Sequence, residues 1–181
     1  LIIFTTINAE RIFLNCENAE NTNRIVVAGG SIAEILYFIG AEEKIVATDV
    51  TSDFPEEAKN HPSIGYVRNL SAEGILSMNP SLILGEDDMG PPNVIKQLID
   101  IKIDVRTIPE EKTINGILDK ILCVSSVIDM VSEAENRINE FLIPDIITLE
   151  NGYIENAKKA KKVMFILSMQ SNRIIVAGAG T

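Results

Sequence analysis

The stretch SIGYVRNLSAEGILSMNP, residues 63–80, sets Tyr66 directly after a glycine and two residues before Arg68, with Glu73 a few positions on. Packing alone gives no strong reason for that order, yet a tyrosine in a loop is ordinarily structural, and Tyr66 by itself identifies no chemistry. Other residues invite chemistry more openly and support less of it. His61 is the single histidine; it precedes Pro62 in a polar loop and reads as a solvated residue, so no Ser-His-Asp or Cys-His site rests on it. Asp87 and Asp88, beside Gly90-Pro91-Pro92, offer carboxylates to a cation, but such a pair in a turn is usually only solvated. VVAGGS, residues 26–31, is neither GxGxxG nor GxxxxGK[ST] and has no following lysine, so it reads as a tight strand-to-helix turn rather than a phosphate loop. Met169 reads as strand-end packing.

These residues must be carried by elements. RIVVAGG (24–30) is a short apolar run ending in glycines, a buried strand. SIAEILYFIG follows as a helix, with Ser31 and Glu34 spaced as a capping box and Gly40 closing it. KIVATDV is a second strand, and SDFPEEAKN a turn with a short helix. Residues 71–78 read as a helix stopped before Pro80. SLILG is a strand, PPNVIKQLIDIK a helix with proline at its start, and DVRTI a strand. Strands alternating with helices predict an α/β fold, a parallel sheet covered on both faces. Ligands in such sheets usually bind outside the carboxyl ends of the strands, here AGGS, TDVTSD, GEDDMGPP and PEEK.

From Thr113 the texture changes. TINGILDKILCVSSVI is helical, and residues 131–162 read as one long helical stretch with Val131, Ala134, Ile138, Phe141 and Leu142 on one face. Pro144 predicts a kink or break, and Gly152 weakens the stretch further. KVMFILS then begins a new strand, with RIIVAG placed to pair with it as a hairpin across MQSN.

The composition excludes several classes. Apolar residues make up 46% and charged residues 23% of the 181, the range of a globular protein with a real core. A net charge of −10 argues against nucleic acid, whose phosphates need clustered Lys and Arg. The basic cluster Lys158, Lys159, Lys161 and Lys162 reads as a helix C-terminal end. Cys16 and Cys123 suggest neither a disulfide framework nor a metal site, and so few cysteines suit cytosol or periplasm alike. LIIFTTINA resembles the tail of a signal peptide's apolar region but lacks a basic flank and a clean cleavage site, and FLNC is a poor lipobox.

The segments RIVVAGGSIAEILYFIGAEEKIVATDVTSDFPEEAK, GYVRNLSAEGILSMNPSLILGEDDMGPP and FILS…VAGAGT together resemble the periplasmic haem-binding proteins of bacterial haem-uptake ABC transporters, from about Arg24 to Thr181. The resemblance implies two Rossmann-like α/β lobes bridged by a long helix, with haem between them. The expected organisation is a leader or loose arm over 1–23, a Rossmann-like lobe over 24–112, a helical segment with the bridging helix over 113–162, and the start of a truncated second lobe over 163–181, packing poorly. It implies that Tyr66 of the G-Y-x-R order ligates the haem iron. A phenol has a pKa near ~10, ferric iron favours the phenolate, and Arg68 would stabilise that oxygen or pair with a propionate. Gly65 would let the backbone approach the ligand. Glu73 matches a glutamate that docks to permease arginines; an exposed helix N-terminal carboxylate is the plainer reading. Some relatives carry histidine where this chain has Met169, which leaves a second axial ligand open, and Arg173 is a candidate propionate partner. The implied protein is a monomeric periplasmic carrier rather than an enzyme, touching the membrane only through its transporter. The alternatives are a siderophore or cobalamin carrier of the same fold, or a nucleotide-using Rossmann-type enzyme.

Overall fold

A computed structural model describes residues 16–156, 164–170 and 173–176. The leader-like LIIFTTINA and the Lys158–Lys162 cluster lie outside the described residues. The chain divides into two compact units between Phe141 and Leu142.

The first unit is α/β. Strands β1 (Ile25–Ala28), β2 (Ile45–Thr48), β5 (Leu82–Gly85) and β6 (Asp104–Thr107) form a parallel sheet in the order β2-β1-β5-β6. Every residue of β1 and β5 is buried, as the unbroken apolar runs IVVA and LILG require of strands covered on both faces. Side chains alternate across the sheet. Val26, Ala28, Ala47 and Ile83 share a core cluster with Ile75 of α2 (Ala72–Ser77) and Leu98 of α3 (Pro92–Asp100). Helix α1 (Gly30–Ile39) buries Ile32, Ala33, Ile35, Leu36 and Ile39 and packs against α4 (Ile114–Val127) and α5 (Val131–Arg137). Gly40 ends α1 at φ 78°, a left-handed position glycine adopts without steric cost.

A small antiparallel hairpin, β3 (Gly65–Tyr66) and β4 (Asn69–Leu70), stands off this sheet. Ile64, Val67 and Leu70 point from it into the same core cluster. Each fully buried aliphatic side chain contributes on the order of 1.5–3 kcal/mol. The hairpin is therefore fixed by the core.

Several expectations are corrected. Ser31 is not an N-cap: Gly29 holds that position, no side chain caps α1, and the Ser31 hydroxyl turns to Glu86 instead. Cys16 and Cys123 are joined in a disulfide, with Cα atoms 4.9 Å apart across 107 residues of sequence. The fold brings them together, since the Ala19 N–H donates to the Val127 carbonyl and ties this arm to the end of α4. On α5 and beyond, Ala134 and Ile138 are buried but Val131 and Phe141 are exposed, so the apolar face is narrower than its spacing implies.

Helix α5 runs through a π turn (Ile138–Leu142) into α6 (Ile143–Asn156). Pro144 has no N–H for the carbonyl four residues back, and the chain widens into the π turn just before it. In the second unit, β7 (Ile166–Gln170) and β8 (Arg173–Val176) pair antiparallel as a separate two-stranded sheet. Its described apolar side chains, among them Ile166, Met169, Ile174 and Ile175, are exposed.

Candidate ligand-binding site

The four parallel strands end on one edge, and their following loops meet there. Asp49, after β2, organises that edge. Buried itself, it accepts hydrogen bonds from the Gly29 N–H (3.0 Å), the Thr51 N–H and hydroxyl, and the Ser52 hydroxyl. The Gly30 N–H donates to the Thr51 hydroxyl at 3.2 Å. The amides a phosphate loop would offer to a nucleotide are thus occupied by the protein's own side chains. A Cβ on Gly30 would stand 2.7 Å from the Thr51 carbonyl oxygen, which explains the second glycine as a packing requirement.

The Tyr66 hairpin is bonded into this edge on two sides. The Val50 N–H donates to the Gly65 carbonyl (2.8 Å), and Ser63 bridges to Thr48 beside β2. On the other side, the Leu70 N–H donates to the Gly90 carbonyl (2.8 Å) and the Gly90 N–H to the Val67 carbonyl (2.9 Å). Gly65 sits at φ +91°, where side-chain-bearing residues are strained, while a Cβ there would meet only the Asn69 carbonyl at 3.9 Å. Within the described residues, then, glycine is required at this position by its backbone conformation rather than by a close approach.

With Ile64, Val67 and Leu70 turned inward, Tyr66 and Arg68 turn outward. Tyr66 is 44% exposed. Arg68 is paired with Asp88: its Nε and Nη2 both lie 2.6 Å from Asp88 Oδ2. That bond first, and the neighbouring Tyr66 oxygen second, push the Arg68 pKa above its ordinary value. Arg68 therefore stays cationic next to the phenol. Two residues that sequence reasoning passed over, Val50 and Phe54, are exposed apolar side chains in the β2 loop, Phe54 at 67%. The signal was available as apolar residues inside the polar TDVTSDFPEE segment at a strand's carboxyl end.

A buried charged network lies on the same edge. Lys120 of α4 is 6% exposed. Its ammonium donates to the Ser31 hydroxyl (2.6 Å) and to Glu110 (2.7 Å), and lies 3.5 Å from Glu86, which also accepts from Ser31. His61 is half-buried rather than solvated. Its Nε2 lies 3.0 Å from the Tyr37 hydroxyl, and burial lowers its pKa. Glu73 is exposed in the first turn of α2, with no hydrogen bond or ion pair among the described residues. Ser71 caps that helix, accepting from the Gly74 N–H at 3.3 Å. Met169 and Arg173 lie exposed on the β7–β8 hairpin of the second unit, Met169 opposite Ile174 and Arg173 opposite Gln170. Among the described residues there is no cluster of metal-ligating side chains, and no helix is long and apolar enough to cross a membrane.

The family model described as "Periplasmic binding protein" matches residues 25–180. The chain belongs to the periplasmic binding protein family. Solved structures of periplasmic haem-binding proteins resemble this chain. A periplasmic haem-binding protein from Pseudomonas aeruginosa is 29% identical at a TM-score of 0.75, over 88% of this chain and 57% of that one. A periplasmic haem-binding protein of Vibrio cholerae is 32% identical at a TM-score of 0.68, over 87% and 59%. A vitamin B12-binding protein of Yersinia pestis (strain Pestoides F) is 30% identical over 87 residues, 48% of this chain and 31% of that protein. The chain thus spans less than two thirds of the length of these relatives.

Proposed function

We propose that the protein captures haem in the periplasm and delivers it to an ABC importer, acting as a carrier without catalysis. The observation that carries this reading is Tyr66, half-exposed on a core-anchored hairpin at the ligand-binding edge of the sheet, beside a permanently charged arginine. A phenolate oxygen is a hard donor that suits ferric iron. Exposed Val50 and Phe54 in the neighbouring loop suit an apolar macrocycle, and the likeness to haem-binding structures supports the same ligand. The occupied amides of the Gly29-Gly30 turn speak against a nucleotide.

The Cys16–Cys123 disulfide supports an oxidising compartment, which the periplasm is and the cytosol is not. Met169, as wall contact or axial ligand, and Arg173, as propionate partner, would also contribute to haem binding. Glu73, unpaired on its exposed helix turn, would dock to a permease arginine, the protein itself remaining a monomer.

The B12-binding relative favours a second reading, a cobalamin carrier. Parallel absorbance titrations with haemin and with cobalamin decide between them. The haem reading predicts a saturable Soret shift with haemin and no saturable change with cobalamin. Saturable binding of cobalamin alone would replace it with the second reading.

A further inference from the structure

The Arg68–Asp88 pair has a geometry that bears on how a ligand is held. Asp88 grips the guanidinium from one side: Nε and Nη2 converge on the single oxygen Oδ2. An arginine has five N–H donors in a rigid planar fork. This grip occupies one on Nε and one on Nη2. Both Nη1 hydrogens and the second Nη2 hydrogen have no partner among the described residues. The unoccupied end of the fork, Nη1 with Nη2, is the end that binds a carboxylate through two parallel hydrogen bonds.

Asp88 itself is not loosely placed. It lies on the loop after β5, and that loop is stapled to the Tyr66 hairpin through the reciprocal backbone bonds of Gly90 with Val67 and Leu70. Met89, its neighbour, is buried in the core cluster that also holds Ile64, Val67 and Leu70. The carboxylate and the arginine therefore sit on two loops tied together by backbone hydrogen bonds and a shared core cluster. A free arginine side chain explores many rotamers, and an arginine held at Nε does not.

We propose that Asp88 is a positioning residue: it fixes the Arg68 guanidinium beside Tyr66 so that the free end of the fork is presented to a carboxylate of the bound ligand. The proposal rests on the haem reading and adds to it a ligand carboxylate, the propionate class, recognised by a pre-oriented arginine. It also assigns the GEDDMGPP segment a role other than cation binding. A competing role for Asp88, neutralising Arg68 and so obstructing the ligand, predicts the opposite sign.

The test compares haemin with haemin dimethyl ester, which has the same ring and iron but no ionised propionates. Affinities are measured for the unaltered protein, Asp88→Asn, Asp88→Glu, and Asp88→Asn in an Arg68→Gln background. The expected result is a loss of roughly two- to fivefold in haemin affinity for Asp88→Asn, the scale of an exposed ion pair, with the diester unchanged. Asp88→Glu should recover most of the loss, and Asp88→Asn should cost nothing further once Arg68 is Gln. Unchanged or tighter haemin binding by Asp88→Asn overturns the proposal, as does an equal loss for both porphyrins, which would mark damage to the loop. If the unaltered protein binds neither porphyrin, the haem reading falls and this proposal with it. If it binds both and Asp88→Asn is silent, only this proposal falls.

Discussion

Tyr66 and Arg68 were singled out by the G-Y-x-R order and the resemblance it carries, and their exposure follows from the spacing of their neighbours. In IGYVRNL, Ile64, Val67 and Leu70 are apolar and the residues between them are not, so a chain that buries the first set must expose the second. Lys120 was not legible in this way. In the run ILDKIL a lysine reads as the solvated side of an amphipathic helix, and its burial is created by Ser31, which is 89 residues away, and by Glu110, 10 residues away. No local pattern carries such a pairing. Lys120→Ala would leave Glu86 and Ser31 with one partner fewer in a shielded site, while Glu110, which is partly exposed, can return to water. A loss of about 1.5–3 kcal/mol is expected, the scale of a hydrogen bond to a charged group, read from the midpoint of urea denaturation. Lys120→Met, which keeps the apolar stem, should cost less. His61 was misjudged for the same reason, since its partner Tyr37 lies on α1, 24 residues earlier.

At the level of elements, short apolar runs sufficed for every strand of the parallel sheet and local helix signals for α1 through α4, and they failed at boundaries. The S-x-x-E spacing of Ser31 and Glu34 is a capping signature in isolation, but the turn starts a residue or two earlier, at Gly29, and the serine is then inside the helix. Glu86 on a neighbouring loop claims its hydroxyl. Pro144 was read as a kink or a break, and the irregularity takes the form of a π turn just before it, with the chain staying helical. The link between the N-terminal arm and α4 was invisible, because two cysteines 107 residues apart carry no spacing signal. That disulfide closes a long loop, and long loops lose the most chain entropy when cross-linked. Reduction is expected to lower stability by about 2–4 kcal/mol, measured by denaturation with and without reductant. Cys16→Ser should show the lowered stability from the start and no further response to reductant. A variant as stable as the oxidised parent would contradict the link.

On the scale of the molecule, alternation of strand and helix indicated the α/β class and the edge on which a ligand would sit. The family match over residues 25–180 and the likeness to solved periplasmic haem-binding proteins agree with the α/β class. The identity of the ligand is less legible, because the same fold serves haem and vitamin B12 in its relatives. In the proposed reading it turns on one oxygen atom, the Tyr66 phenol, and the most direct measurement removes only that atom. Ferric haem is titrated into the parent protein and into Tyr66→Phe, with absorbance spectra recorded at each step. Packing is preserved, so a residue that merely hydrogen-bonds should cost about 0.5–1.5 kcal/mol and leave the spectrum alone. The account predicts a larger fall in affinity together with disappearance of the phenolate-to-iron charge-transfer band. Parental affinity with an unchanged spectrum in Tyr66→Phe would contradict it.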